Sequence, residues 1–134
     1  MYRIKEDYEK SLILIEIKGK MEREEVELFA RDVSDTFNRF PLKSMSVISC
    51  NERMDPLSQE NARIMKAVTQ ECVLKANRIA VVHKRTVTKM QLKRLEKEVI
   101  EDGHHGVPIM RFSTREEALD YIGERNKTLN LIRN

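Results

Sequence analysis

The chain has 134 residues, of which 40% are hydrophobic and 35% charged, with a formal net charge of +3. That length suits one ordinary domain, and the balance excludes a disordered chain. Apolar runs such as Leu12 to Ile15 fall far short of the roughly 20 residues that span a bilayer, so membrane insertion is not expected. The opening Met-Tyr-Arg-Ile-Lys-Glu-Asp lacks the apolar core of a signal peptide. Aromatics are 5% with no Trp, so the core is expected to be aliphatic with help from seven Met. Two cysteines, Cys50 and Cys72, are too few for a disulfide framework and lack the spacing of a zinc site. Both read as reduced, buried small hydrophobes, which fits a cytoplasmic protein.

In chain order, Tyr2 to Glu6 reads as a short edge strand, and Asp7 to Ser11 as a hairpin turn. Leu12 to Ile17 is the clearest strand, β-branched and closing at Gly19. From Met21 to Phe40 the period changes to helical through Val26, Phe29, Ala30, Val33 and Phe37, with Glu22, Glu24 and Glu25 at the favourable end of the dipole. Pro41 stops that helix. Met45 to Cys50 is a short strand, and Asn51 to Pro56 reads as polar loop. A second helix follows over Leu57–Ala76, with Ala62, Met65, Val68 and Cys72 on one face.

Arg78 to His83 is a strand whose apolar centre predicts burial on both faces, as in a parallel sheet. Thr86 or Thr88 starts a third helix, striped by Leu92, Leu95 and Val99, which ends near Asp102-Gly103. Val107 to Phe112 is the last strand. Ser113-Thr114-Arg115-Glu116 fits a capping box opening a fourth helix, with Ala118, Leu119 and Ile122 as its buried side. The predicted order is β-β-α-β-α-β-α-β-α: an α/β fold with a mixed, mostly parallel sheet opened by a β-hairpin and flanked by helices. Residues 1–124 form the expected domain and 125–134 a C-terminal tail.

The opening hairpin Tyr2 to Lys18, the Gly19-Lys20 boundary before an acidic helix, the Arg78-Ile-Ala-Val-Val strand and the closing Phe112-Ser-Thr-Arg-Glu-Glu-Ala-Leu-Asp-Tyr-Ile together resemble a STAS domain. The nearer likeness is to the SpoIIAA-like proteins grouped with the CRAL-TRIO fold. The resemblance spans residues 2 to 124. It implies a small non-catalytic regulator that docks a protein partner near the start of the second helix, a second copy of itself being one such partner. It also implies that a Ser at that helix start is phosphorylated to break the complex. Here the matching stretch reads Asn51-Glu-Arg-Met-Asp-Pro-Leu-Ser58-Gln-Glu, with no Asp-Ser pair and no glycine after it.

Ser58 therefore has three readings: an N-cap, a phospho-switch, or part of an anion site at a helix start. Arg53 and Arg63 stand nearby in sequence. Charge is uneven along the chain, because Asn61 to Val99 holds ten Lys/Arg against three Asp/Glu. Lys84, Arg85, Lys89 and Lys93 cluster after the fourth strand, at the sheet edge where α/β folds bind ligands. These residues are candidates for partner or phosphate contacts, and the alternative function is nucleic-acid association through the basic surface of residues 61–99. No aromatic sits among them to stack a base. Met65, Met90 and Met110 read as core fillers. His104-His105 reads as exposed loop rather than a metal site. His83 is a lone candidate base without a nucleophile, so neither catalysis, a cofactor nor a metal is expected.

Overall fold

The alternation of strand and helix patterns becomes a five-stranded sheet ordered β1-β2-β3-β4-β5. A computed structural model describes residues 1–103 and 106–123. His104-His105 and residues 124–134, which include the expected tail, lie outside the described residues. The elements are β1 (Tyr2–Asp7), β2 (Leu12–Gly19), α1 (Arg23–Asn38), β3 (Ser46–Met54), α2 (Gln59–Lys75), β4 (Ile79–Val82), α3 (Thr86–Glu101) and β5 (Ile109–Phe112). Residues 115–123 are helical, forming α4. β1 pairs antiparallel with β2, and every later neighbour is parallel. The predicted order and the mixed sheet are thus the ones found. Among the described residues no helix is long and apolar enough to cross a membrane.

Each crossover moves one strand along in the same direction, so right-handed connections put α1, α2 and α3 on one face. Strand side chains alternate accordingly. Ile13, Ile15, Val47, Ile79 and Val81 meet Phe29, Met65 and Leu92 of those helices in the larger core. Leu12, Ile48, Cys50, Ala80 and Val82 point the other way and meet Ala118 and Ile122 of α4. All four residues of β4 are buried, as a central parallel strand requires.

Several local expectations change. β3 runs four residues past Cys50, so Asn51–Met54 is strand rather than loop, because Lys18 and Gly19 of β2 continue the pairing with Arg53 and Met54. The register slips between Glu16 and Lys18, and this bulge sets three residues of β3 against two of β2. Gly19 sits at φ +67, a left-handed conformation that a side chain would strain. α1 begins at Arg23, leaving Met21 as a buried anchor in the preceding loop. The cap of α4 lies one residue later than expected. Thr114 Oγ1 accepts from Glu117 N (3.2 Å), an N-cap bond, and donates to the Glu117 carboxylate at 3.0 Å. Leu119 is 43% exposed, whereas Ala118 and Ile122 are buried. Met65 fills the core, but Met90 and Met110 are exposed, which corrects their expected role. Both cysteines are free and buried. Burial pushes Cys50 up to about 11 and Cys72 up to about 12, so both stay as unreactive thiols at neutral pH.

Candidate functional site

Three loops meet at the carboxyl edge of the sheet. They follow β2, β3 and β4, and side chains from the helices tie them together. Asp55 N donates to Gly19 O (3.1 Å), and Thr88 Oγ1 of α3 donates to Met54 O (2.9 Å). Gln91, one turn further along α3, clasps Leu57 in both directions: its Oε1 accepts from Leu57 N (2.8 Å) and its Nε2 donates to Leu57 O (2.7 Å). Asn61 Nδ2 donates to Met21 O (3.1 Å), drawing in the loop before α1. Arg85 pairs with Asp55. The segment leading to Ser58 is therefore held from both sides before any partner arrives.

Ser58 occupies the N-cap of α2. Its Oγ accepts from Asn61 N at 3.1 Å, and the residue is exposed. The hydroxyl thus faces solvent at the positive end of a helix, where an added phosphate would be electrostatically favoured. Arg63 is exposed one turn into α2, and Lys89 and Lys93 are exposed along α3. Val87 and Met90 stand among them, 66% and 65% exposed, an apolar pair on the outer side of α3.

Arg53 and Lys84 lie elsewhere. The β3 bulge turns Arg53 to the α4 side of the sheet. There it lines, with Lys18, Lys84, Arg115, Glu16 and Glu52, an open groove of about 350 Å³. Arg115 donates to Glu52 (2.7 Å) and to Glu16 (3.1 Å). Burial raises the Glu52 pKa more than any single effect lowers it, but the Arg115 and backbone hydrogen bonds and the charges of Arg115 and Lys84 together hold its carboxyl below the usual range. The candidate residues are thus divided by the sheet, with Arg53 and Lys84 on one side and Ser58, Arg63, Lys89 and Lys93 at its edge and other side.

Much of the positive charge between Asn61 and Val99 is internally engaged. Lys66 pairs with Asp102 (2.6 Å), Lys75 with Glu71, Lys97 with Glu101 and Arg85 with Asp55. Arg78 lies 4.3 Å over the Tyr121 ring and donates to Tyr121 O (2.8 Å). Arg63, Lys84, Lys89, Lys93 and Arg94 make no ion pair with a described residue.

His83 is buried, and neither ring nitrogen has a hydrogen-bond partner among the described residues. Burial first, then Arg111, Lys89 and Lys93, lower its pKa to about 4, so the imidazole is neutral at pH 7. Arg111 of β5, half-buried and close enough to His83 to lower its pKa, pairs with the buried Glu96 of α3. Among the described residues no group of three metal-ligating side chains lies close enough to hold an ion. Sequence reasoning missed Gln91, Thr88 and the Glu96–Arg111 pair. The signal for the pair was one charged residue at a core position in each of two apolar patterns, which implies mutual neutralisation.

This arrangement of sheet, helices and edge loops is the SpoIIAA-like fold. No protein-family model and no curated protein matches the chain. Solved structures do match it, among them these two. An uncharacterized DUF3478-family protein with a SpoIIAA-like fold from Shewanella loihica PV-4 superposes with a TM-score of 0.67 at 12% identity, over 91% of this chain and 92% of that one. An anti-sigma factor antagonist from Mycobacterium paratuberculosis gives 0.60 at 14% identity, with the same coverage. At such identities the likeness is one of fold.

Proposed function

We propose that this chain is a non-catalytic regulatory module that works in the cytoplasm by docking an acidic protein partner on the surface made by the start of α2 and the outer side of α3. The observation that carries the reading is the exposed Val87–Met90 pair beside the unpaired cations Lys89, Lys93 and Arg94, next to a loop already fixed around Ser58. Exposed apolar residues rimmed by charge of one sign suit a partner with the complementary pattern. A two-fold dimer through this patch would set cation against cation, so a different protein is the better occupant. The shared fold of an anti-sigma factor antagonist supports a regulatory role. In this reading Ser58 is the control point, because phosphate there would add negative charge facing an acidic partner. The nucleic-acid reading has less support, since half of the basic residues between Asn61 and Val99 are engaged within the protein and no aromatic accompanies the rest.

The test is affinity capture from source cells after nuclease treatment, comparing the natural chain with Met90→Glu and Ser58→Asp. A protein retained at high salt by the natural chain and lost by both variants supports the proposal. Equal retention by all three overturns it, as does recovery of nucleic acid alone, released by salt.

A further inference from the structure

The six residues of β1 form an open edge, because among the described strands they pair with β2 alone. Met1 N donates to Lys18 O (2.9 Å) and Lys18 N to Met1 O (2.8 Å), so this opposed pair exchanges both bonds. In an antiparallel ladder such pairs alternate with unbonded ones. Arg3, Lys5 and Asp7 therefore turn their backbone groups to β2, whereas Tyr2, Ile4 and Glu6 turn theirs away from the sheet. No described residue bonds the N–H or C=O of those three. Beside them runs an open groove of about 480 Å³ between β1 and α1, with Ile4, Glu6, Asp32, Asp35, Thr36 and Arg39 in its lining. An exposed sheet edge can take up an extended segment as an added strand, main-chain bonds giving affinity and side chains specificity.

The two sides of this edge differ in charge. On the α1 side Arg39 is committed to Glu6, and Asp32, held by the Tyr2 hydroxyl, stands with Asp35 in the groove. α1 as a whole carries five Asp/Glu against two Arg. On the α4 side β1 presents Arg3 and Lys5, both exposed, while Asp7 accepts from Lys10 N at the strand's end. Arg3 reaches Glu16 at 3.5 Å, and Lys5 has no ion pair with a described residue. A second copy is a poor occupant: antiparallel registers centred on Ile4 or on Lys5 oppose Arg3 to Lys5 or Lys5 to Lys5. We propose that the β1 edge is a strand-addition site for an extended segment of a different protein, antiparallel to β1, whose basic residues face α1 and alternate with acidic residues facing Arg3 and Lys5. β1 stands at the far edge of the sheet from β4 and β5, so this site is separate from the α2–α3 surface.

The probe is a peptide of four Lys-Glu repeats, acetylated and amidated at its ends and titrated by NMR. In the proposed register its Lys residues stand opposite Tyr2, Ile4 and Glu6 and direct their backbone N–H groups at β1. Saturable shifts and slowed hydrogen exchange are expected at the Tyr2, Ile4 and Glu6 amides. Methylating the Lys backbone nitrogens removes those bonds and should weaken binding about tenfold or more, whereas methylating the Glu nitrogens should be tolerated. Ile4→Pro removes an outward N–H without touching the β2 ladder, and Asp35→Lys reverses an exposed charge of the groove; each should weaken binding too. Met90→Glu, on the other surface, should bind the peptide as the natural chain does. The absence of saturable shifts would overturn the proposal. Binding that survives methylation of the Lys nitrogens would overturn it in favour of charge attraction alone. Protection of the same amides on raising the protein concentration, without peptide, would overturn it in favour of a second copy.

Discussion

The two faces of the sheet are held by different means. On one, three long helices lay apolar stripes over alternating Ile and Val, and apolar burial is the main thing that secures them. On the other, the helix whose described residues are 115–123 packs on small side chains such as Ala80 and Cys50 and is clamped at two points. Arg115 is held by Glu16 and Glu52 at its start, and Tyr121, two turns on, by Arg78. Over these residues the apolar area that meets the sheet is limited, chiefly Ala118 and Ile122, and specific polar clamps supplement it. The lesson is that one face stores the stability of the fold, whereas the other is attached through contacts that solution conditions can loosen.

Truncation should separate the faces most sharply. Phe29→Ala, in the larger core, is expected to lower global stability by about 4 kcal/mol, and Ile122→Ala by about 3 kcal/mol, measured by urea unfolding. If the comparison holds, Ile122→Ala also speeds hydrogen exchange within α4 more than within α1 to α3. A uniform increase across all helices would erase the distinction.

Acid should separate them next. His83 belongs to the larger face, and its pKa is lowered from 6.5 to about 4. The unfolded chain therefore takes up that proton first. The stabilising effect is complete above about pH 6.5, is lost as pH falls, and is gone below about pH 4. His83→Leu should flatten this slope in urea midpoints measured from pH 7 to pH 4. Glu52 belongs to the α4 face, and its pKa lies below the ordinary 4.5. Its contribution is present above that value and is lost below it, so α4 should loosen only at lower pH. The smallest effect is expected at Leu119→Ala, within about 0.5 kcal/mol, because the side chain is already 43% exposed.

Most of the fold was legible in the sequence because hydrophobic period and turn chemistry agreed at each step, from the Leu12–Ile17 strand to the Leu92–Leu95–Val99 stripe. The second half of β3 was hidden, since Asn51-Glu52-Arg53 is polar and only its pairing with β2 makes it strand. The site was legible in part. Ser58 at a helix start could be read locally, and the structure places it at the N-cap. Which side of the sheet Arg53 and Lys84 reach could not, because a bulge in β3 shifts the side-chain alternation and leaves no mark in composition. The exposure of Met90 was equally hidden, since an apolar residue on a helix does not announce which face it occupies.

The sheet order β1-β2-β3-β4-β5 has a consequence for how the protein is made. Each strand pairs with the one synthesised immediately before it, so a chain emerging from the ribosome finds every new partner already present. The nascent sheet can grow at one edge in the order of translation, with no strand held open for a later arrival. Only the far face must wait, because its covering helix is the last described element to leave the tunnel.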